Sequence, residues 1–296
     1  MTSIKKREEI KFFIFISPWL IGFLAFFIIP AGTSLVYSFT DYNAIQPPNW
    51  IGLQNYSKLL KDQIFIKSLQ NTLFFVLFGV PVNTIFQILV ATLLDSKVRG
   101  IGIFRTLYYL PYLVPMIATT IIWRLLFNTD FGVINGILSA LGIPKVRWMD
   151  IPALIKPQIV LMAMWASGSG ILIFLAALKG VPSQLYESAK IDGAGAVRIY
   201  FKITIPMISP AILFSVVMQM ISNFQMFTET YLYNRGGPNY ASITYMLNTY
   251  NTAFRDFQFG KAMAQSWILF MFIAIFTAFV LSAAKRWVYY EGEGQR

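Results

Sequence analysis

The stretch LYESAKIDGAGAVRIYFKITIP, Leu185–Pro206, places charged and small residues between two strongly apolar runs. The preceding run covers about Ile155–Leu178 and the following one about Ile205–Phe227, and each is long enough to cross a bilayer as a helix. A polar segment between two such runs is typical of a loop at a membrane surface. The stretch therefore predicts a helical chain that crosses a membrane on both of its sides.

The composition of the 296-residue chain supports this interpretation. It is 56% hydrophobic and 12% charged, with a mean hydropathy of +0.60, whereas soluble domains carry about 25% charged residues. The chain has no cysteine and no histidine, which excludes disulfides, histidine-based catalysis and histidine-ligated zinc. In a membrane protein, a net charge of +11 is expected to face anionic lipid rather than nucleic acid.

Four further apolar runs bring the predicted number of membrane spans to six. The first run follows a basic start, as a secretory signal would, but is longer than the apolar region of a signal peptide. We predict a retained helix there, with a signal-like anchor as the alternative. The expected fold class is an all-α integral membrane protein with six transmembrane helices. The predicted spans are approximately Phe12–Ile29, Leu69–Leu94, Phe104–Phe127, Ile155–Leu178, Ile205–Phe227 and Ala264–Ala284.

The density of lysine and arginine orients these spans, because both residues accumulate in cytoplasmic loops. With the N-terminus inside, the inner segments are the more basic ones, and an even number of spans then places both termini in the cytoplasm. The predicted regions are 1–66 (cytoplasmic N-terminus, first span and outer loop), 67–286 (a five-helix core containing the loop 183–206) and 287–296 (a cytoplasmic tail). The basic residues of the inner segments are Lys5, Lys6, Arg7, Lys11, Lys97, Arg99, Arg105, Lys179, Lys190, Arg198, Lys202, Lys285 and Arg286.

Two kinds of chemistry are missing from the sequence. No G-x-x-x-x-G-K-[ST] motif occurs, and the single Gly-Lys pair, Gly260-Lys261, is followed by Ala262, so no phosphate-binding P-loop is expected. Carboxylates such as Asp95 and Glu229 lie at span ends, whereas ion-coupled carriers place ionisable groups near the bilayer midplane. The sequence thus predicts a non-catalytic, pathway-forming subunit that another protein powers.

The stretch 185–206 is expected to form two short helices joined at Gly193, which can adopt positive φ. Ser183 is the predicted N-cap, with Glu187 in the first turn, and the second helix is predicted over about Ala196–Ile203. Contact with lipid and docking into a partner protein are about equally supported by physics alone, although the small residues favour docking. The apolar side would consist of Leu185, Ile191, Val197 and Phe201.

The spacing of this stretch resembles the EAA loop of ABC-importer permeases, whose pattern is E-A-A-x3-G-x9-I-x-L-P. Here Glu187-Ser188-Ala189, Gly193 and Ile203-Thr204-Ile205-Pro206 match it, with departures at Ser188 and Ile205. The core Asp192-Gly193-Ala194 is similar to that of the carbohydrate branch. Family-like segments also occur at Trp50–Tyr56, Phe104–Pro111 and Gly236–Pro238. The resemblance implies a type I ABC importer permease fold with a cytoplasmic coupling-helix loop.

The resemblance further implies a coupling helix seated on a cytoplasmic ABC ATPase dimer, which would hold the ATP and magnesium, so that this chain needs no cofactor. The expected partners are a second permease subunit, with a heterodimer favoured over a homodimer, and an extracellular solute-binding protein. The expected location is a bacterial plasma membrane. The residues implied at the ATPase joint are Glu187, Ser188, Ala189, Asp192, Gly193, Ala194 and Pro206.

The implied substrate path passes along span 5, where Asn223 matches an asparagine that lines the sugar site of maltose-type importers. Ser222 and Met226 depart from the aromatic and the asparagine found there in the family, which argues against maltose itself. The expected cargo is a sugar or oligosaccharide; a polyol-type solute, a stand-alone carrier and a purely structural subunit are the alternatives. The candidate path residues are Asn223, Gln219, Ser222, Gln225 and Met226, and interhelical hydrogen bonding is the other role open to them.

Overall fold

The computed structural model describes residues 2–96 and 98–289, without the side chains of residues 2–7 and 10. Lys97, the side chains of Lys5, Lys6 and Arg7, and the predicted tail from residue 290 onward therefore lie outside the described residues. The regular secondary structure of the described residues is helical, apart from one isolated β-bridge between Thr40 and Trp50. It forms two compact units, Met1–Asp62 with Thr249–Ile268 and Gln63–Asn248 with Leu269–Arg296. The division predicted at residues 66 and 286 stays a prediction.

Within the described residues, three helices are long and apolar enough to cross a membrane unaided: Lys11–Tyr37, Gln63–Leu94 and Phe259–Ala284. They correspond to predicted spans 1, 2 and 6, and we keep the names span 1 to span 6. Each of these helices begins before the start of the corresponding predicted span. Once a helix has formed, extending it by a polar residue adds a backbone hydrogen bond at little cost.

The other three spans are bent, which differs from the single helices predicted. Span 3 consists of Ile101–Leu113 and Met116–Leu126 at 99°, span 4 of Pro152–Trp165 and Gly168–Lys179 at 52°, and span 5 of Ala196–Met207 and Ser209–Phe224 at 64°. The predicted count of six is reached when each bent pair is taken as one span.

Proline explains two of these bends. In span 3, Val114 precedes Pro115 and has an extended backbone, with φ −74° and ψ 127°, because the proline ring disfavours a helical conformation in the residue before it. In span 5, the second helix begins at Ser209 with Pro210 in its first turn, where the missing N–H leaves no internal bond unmade.

Pro18 and Pro157 lie inside α-helical segments. At three other places, a five-residue π-helical turn precedes a proline and the helix continues without a break. The turns Leu24–Ile28, Phe75–Gly79 and Tyr200–Thr204 precede Pro30, Pro81 and Pro206 respectively. In each case the carbonyl four residues before the proline, with which the ring would clash, lies at the centre of the π turn. The wider turn displaces that carbonyl and lets the helix continue.

Apolar clusters among the described residues of the second unit hold the bundle together. One joins spans 2, 4 and 5 through residues such as Leu94, Phe174 and Ile208, and the other joins spans 2 and 4 to Met226 and Tyr233 through Phe75 and Ile159. The remaining helices are Gln54–Lys61, Val133–Ala140, Ser183–Ile191, Thr228–Asn234 and Tyr245–Tyr250, the last continued by a π turn at Asn251–Arg255. These clusters position the loop 183–206 and the polar face of span 5.

Candidate coupling surface and substrate path

The predicted two-helix loop is present, with corrections at its start. The first helix is Ser183–Ile191, its N-cap is Pro182, and no side chain caps it. Ser183 is therefore the first helical residue rather than the cap, and Glu187 lies beyond the first turn. Pro182 suits this position because its ring disfavours a helical conformation in the residue before it. The helix therefore does not extend towards the N-terminus, and its boundary is fixed without a serine cap.

Gly193 ends the first helix in a left-handed turn, as predicted. Its φ is +76°, its N–H donates to the Lys190 carbonyl (3.0 Å), and the Ala194 N–H donates to the Ala189 carbonyl (2.9 Å). These two bonds make a Schellman motif, in which a residue with positive φ closes the helix end. A Cβ at position 193 would have no heavy atom within 4 Å, so the backbone conformation alone requires glycine there.

The second helix begins at Ala196, as predicted, but does not end near Ile203. It continues through the π turn to Met207 and forms the first half of span 5, so Pro206 lies inside the helix instead of at the entry to the span. The physical reason is the π turn, which accommodates the proline without breaking the helix. The loop is thus directly continuous with a membrane helix.

Two tyrosines fasten the loop to the bundle. The Tyr186 hydroxyl lies 3.2 Å from Thr204 Oγ1, and the Tyr200 hydroxyl lies 3.3 Å from Thr92 Oγ1 of span 2. Both rings pack against the apolar cluster of spans 2, 4 and 5. A displacement of the loop would therefore be transmitted to span 2 as well as to span 5.

The opposite side of the loop is exposed and apolar. The exposed fractions are 39% for Leu185, 86% for Ile191, 72% for Val197 and 63% for Phe201, which are the four residues of the predicted apolar side. Next to them is a cavity of about 230 Å³, whose walls include Ala189, Asp192, Ala194, Arg198 and Lys202. This combination of exposed apolar residues and a charged cleft is the candidate coupling surface.

Gln219 is the centre of a polar network between spans 2 and 5. It accepts a hydrogen bond from Asn83 (2.9 Å), and its amide nitrogen lies 3.1 Å from Thr84 Oγ1, 3.3 Å from Gln87 Oε1 and 2.9 Å from Ser215 Oγ. An amide nitrogen carries two hydrogens, so at any moment it serves only two of these three acceptors. The network holds the spans together and offers Gln219 alternative partners at little cost.

Asn223 and Met226 line a small cavity above this network together with Asn83. Asn223 donates to the Gln219 carbonyl (2.8 Å), and the cavity of about 20 Å³ has room for about one water molecule. Within the described residues, the buried Oδ1 of Asn83 has no hydrogen-bond partner. The cavity is lined mainly by apolar residues, with Asn83 and Asn223 as its polar side chains and one acceptor atom of Asn83 unsatisfied.

Ser222 and Gln225 do not join this group. Both are exposed, whereas Asn223 is partly buried and Met226 is buried. The five candidate path residues therefore divide into two sets, an exposed pair of Ser222 and Gln225 and a partly or fully buried set of Gln219, Asn223 and Met226.

The contribution of span 2 was not predicted from the sequence. Asn83, Thr84 and Gln87 lie in an otherwise apolar run, and their spacing of one and four positions places them near one helix face. Asn71 was missed as well, although its amide donates to the carbonyls of Tyr240 (2.8 Å) and Ile243 (2.9 Å) beside the Gly236–Pro238 segment. Intramembrane polar residues at helical spacing were the available signal.

The chain is similar to known proteins over nearly its whole length. The family described as "Binding-protein-dependent transport system inner membrane component" matches residues 87–290. The "Probable ABC transporter permease protein YesP" of Bacillus subtilis (strain 168) is 39% identical over 293 residues, covering 97% of this chain and 94% of the relative. The "Diacetylchitobiose uptake system permease protein NgcF" of Streptomyces coelicolor is 31% identical, covering 98% and 86% respectively.

A solved structure is also similar. In "a bacterial ABC transporter involved in the import of the acidic polysaccharide alginate", one chain superposes with a TM-score of 0.84 at 23% identity, covering 97% of this chain and 99% of that one. At this level of identity the likeness concerns the fold alone. The predicted all-α membrane fold is confirmed.

Proposed function

The chain belongs to the family of binding-protein-dependent transport system inner membrane components, and we propose that it is the permease subunit that forms the path for a sugar or oligosaccharide. As a membrane component of this family it is non-catalytic. The carbohydrate class is supported by the relative whose name specifies diacetylchitobiose uptake. The Asp192-Gly193-Ala194 core, similar to the carbohydrate branch, supports it independently.

The proposed transport mechanism depends on the candidate coupling surface. A loop that exposes Ile191 and Val197 to more than two thirds of their area, and that continues directly into span 5, suits a joint with a cytoplasmic ATPase dimer. Exposed apolar residues of this kind are stable when another protein covers them. The joint would comprise Glu187, Ser188, Ala189, Asp192, Gly193, Ala194 and Pro206, and it would transmit closure of the ATPase dimer to the membrane helices.

The substrate path would use both sets of span 5 residues. Asn223, Gln219 and Met226 would present one side of the path, and exchange of Gln219 among its acceptors would allow spans 2 and 5 to slide. Ser222 and Gln225 are exposed on the isolated chain, which suits a path completed by a second, related permease subunit. Sugar hydroxyls both donate and accept hydrogen bonds, so amide and hydroxyl side chains are suitable partners for them.

The complete assembly would contain this chain, a second permease, two ATPase subunits that hold ATP and magnesium, and an extracellular solute-binding protein. Both termini and the coupling surface would lie in the cytoplasm of a bacterial cell. Lipid contact is the other role open to the loop, and a polyol-type solute is the other cargo. A stand-alone carrier is disfavoured by the scarcity of carboxylates within the spans.

Reconstitution tests the function. The chain would be assembled in liposomes with its second permease and ATPase, and uptake measured for a radiolabelled sugar that the cognate solute-binding protein retains in equilibrium dialysis. We expect uptake that requires ATP inside and the binding protein outside, with an ATPase variant unable to hydrolyse ATP as the matched control.

Sugar uptake without ATP or binding protein would instead establish a stand-alone carrier. Uptake of glycerol 3-phosphate together with exclusion of every sugar tested would establish the polyol alternative. Each outcome therefore assigns one of the competing functions.

A further inference from the structure

The first unit encloses a cavity that the transport path does not use. It measures about 390 Å³, and its walls come from the segment after span 1 and from the segment before span 6. Cavities of about 300–1,000 Å³ are the usual size for small-molecule sites. If the N-terminus is cytoplasmic, as the lysine and arginine distribution predicts, the cavity would lie on the outer side of the membrane.

The two walls are held together by a close backbone contact. The Gly260 N–H donates to the Tyr42 carbonyl (2.8 Å), and a Cβ at residue 260 would lie 2.2 Å from the Thr40 carbonyl oxygen. Only glycine permits this approach. The buried Asn55 amide additionally donates to the carbonyls of Ser38 (2.9 Å) and Thr40 (2.8 Å). The cavity is therefore preformed rather than a gap between loose loops.

Phe257 is in a conformation that bulky residues avoid. Its φ is +53°, where a Cβ meets the backbone, and glycine or asparagine is the usual occupant. The positive φ belongs to the end of the helix, where the Gln258 N–H donates to the Thr252 carbonyl (2.9 Å). Phe257 lines the cavity and is 54% exposed, so it offers an apolar surface to a ligand.

The charges that line the cavity balance. Of the four charged side chains in the lining, Asp256 is paired with Arg255 (2.8 Å) and Lys261 with Asp62 (2.7 Å), so Asp41 and Lys58 remain as one carboxylate and one ammonium group. Hydrogen bonds from Asn49 hold the pKa of Asp41 below its usual value, and those from Arg255 do the same for the pKa of Asp256, so both remain ionised. The described residues contain no group of three or more side chains placed to hold a metal ion.

This lining favours a neutral ligand with many hydroxyls. Because the lining carries no net charge, it does not attract a charged ligand over a neutral one. A ligand hydroxyl can donate to a carboxylate and accept from an ammonium group. The amides of Asn43 and Gln258 add partners that donate and accept. The Phe257 ring supplies the apolar surface on which the C–H face of a sugar ring can lie.

We propose that this cavity is a second saccharide-binding site, which takes a neutral sugar unit on the outer side of the membrane, apart from the path along span 5. The inference rests on the proposed carbohydrate function and adds a separate site to it. The site would hold a sugar near the entrance before the sugar enters the path.

Saturation-transfer NMR on the complete transporter in nanodiscs, without binding protein or ATP, tests the site. The neutral probes are diacetylchitobiose, lactose and maltotriose, and the acidic probe is trigalacturonate. Asn223→Ala alters the proposed path and so separates sugar held there from sugar in this cavity. We expect at least one neutral probe to give a signal that remains in Asn223→Ala, and trigalacturonate to give none.

The Phe257 variants provide the decisive comparison. Phe257→Gly removes the ring and relieves the backbone, so the signal should be lost while the melting temperature stays equal or rises. Phe257→Tyr keeps the ring and should keep the signal. Ala44→Gly is the matched control, because Ala44 has φ +64° but does not line the cavity, and its signal should be unchanged.

Several results would overturn the site: silence from every neutral probe, an equal signal from trigalacturonate, or full binding by Phe257→Gly. Weaker association of the solute-binding protein with Phe257→Gly, with no saccharide signal in the wild type, would show a protein-docking surface instead. Sugar uptake by the wild-type transporter separates failure of the second site from failure of the proposed function, because the proposed function fails only if that uptake is absent.

Discussion

At the scale of single residues, Gly193 is the position where a substitution acts through the backbone alone. Its φ of +76° excludes most side chains, whereas the space around it is open. Gly195, two residues later, is equally open but has φ −70° and ψ 159°, a conformation that any residue adopts. The two glycines therefore form a matched pair that differs only in backbone conformation.

We predict that Gly193→Val lowers the rate of ATP-driven uptake roughly tenfold, because a left-handed residue with a side chain costs about 1–2 kcal/mol and the turn would open. Gly195→Val should transport at close to the normal rate. Uptake and membrane content would be measured for both variants. Equal uptake by the two variants would mean that the turn does not couple the ATPase to the membrane helices.

At the scale of elements, Gln219 connects spans 2 and 5, and its neighbour Ser222 on the next turn is exposed. Gln219→Ala removes the acceptor of the Asn83 amide and the donor shared by Thr84, Gln87 and Ser215. Interhelical hydrogen bonds in membranes are worth about 0.6 kcal/mol on average, and the groups left unpaired add to that loss.

We therefore expect Gln219→Ala to destabilise the bundle by about 1–2 kcal/mol, measured as a lowered melting temperature in detergent. Ser222→Ala is the control, since an exposed hydroxyl contributes little, and its melting temperature should match the wild type. If both variants melt with the wild type, the network does not hold spans 2 and 5 together.

At the scale of the whole molecule, a path shared with a second permease should contain water where this chain alone shows an exposed polar face. The sequence has no cysteine, so a single introduced thiol is the only one this chain contributes. We predict that Ser222→Cys in the assembled transporter reacts with a small polar maleimide, because thiolates form in water and not in lipid.

The control for this labelling is Phe26→Cys. Phe26 is 86% exposed on span 1, whose apolar window has no buried residue, so a thiol there should face lipid and stay unreactive. Adding sugar-loaded binding protein and ATP should slow the labelling of Ser222→Cys. Equal labelling of both positions, unaffected by substrate, would remove Ser222 from the path.

Sequence alone accounted for much of this protein. Six apolar runs predicted the membrane class and the positions of the spans, because hydrocarbon permits only segments with internally satisfied backbones. Gly193 was identified from sequence as the turn, because its requirement for glycine is local. Span interiors were less predictable: whether a proline breaks a helix, as at Pro115, or is absorbed by a π turn, as at Pro81 and Pro206, depends on the packing around it.

For the polar residues too, some features can be predicted from the sequence and others depend on packing. Asn223 and Gln219 were predicted as path residues from the sequence of span 5, and that role stays a prediction. The partners of Gln219 on span 2 become visible only when the helices are packed together. The cavity of the first unit depends on a contact between segments about 200 residues apart in the chain, where Gly260 meets Thr40. Local chemistry determined which segments are apolar enough to cross a membrane and where the turn at Gly193 lies. Tertiary structure alone decided which polar groups meet, because long-range proximity is set by packing and not by spacing along the chain.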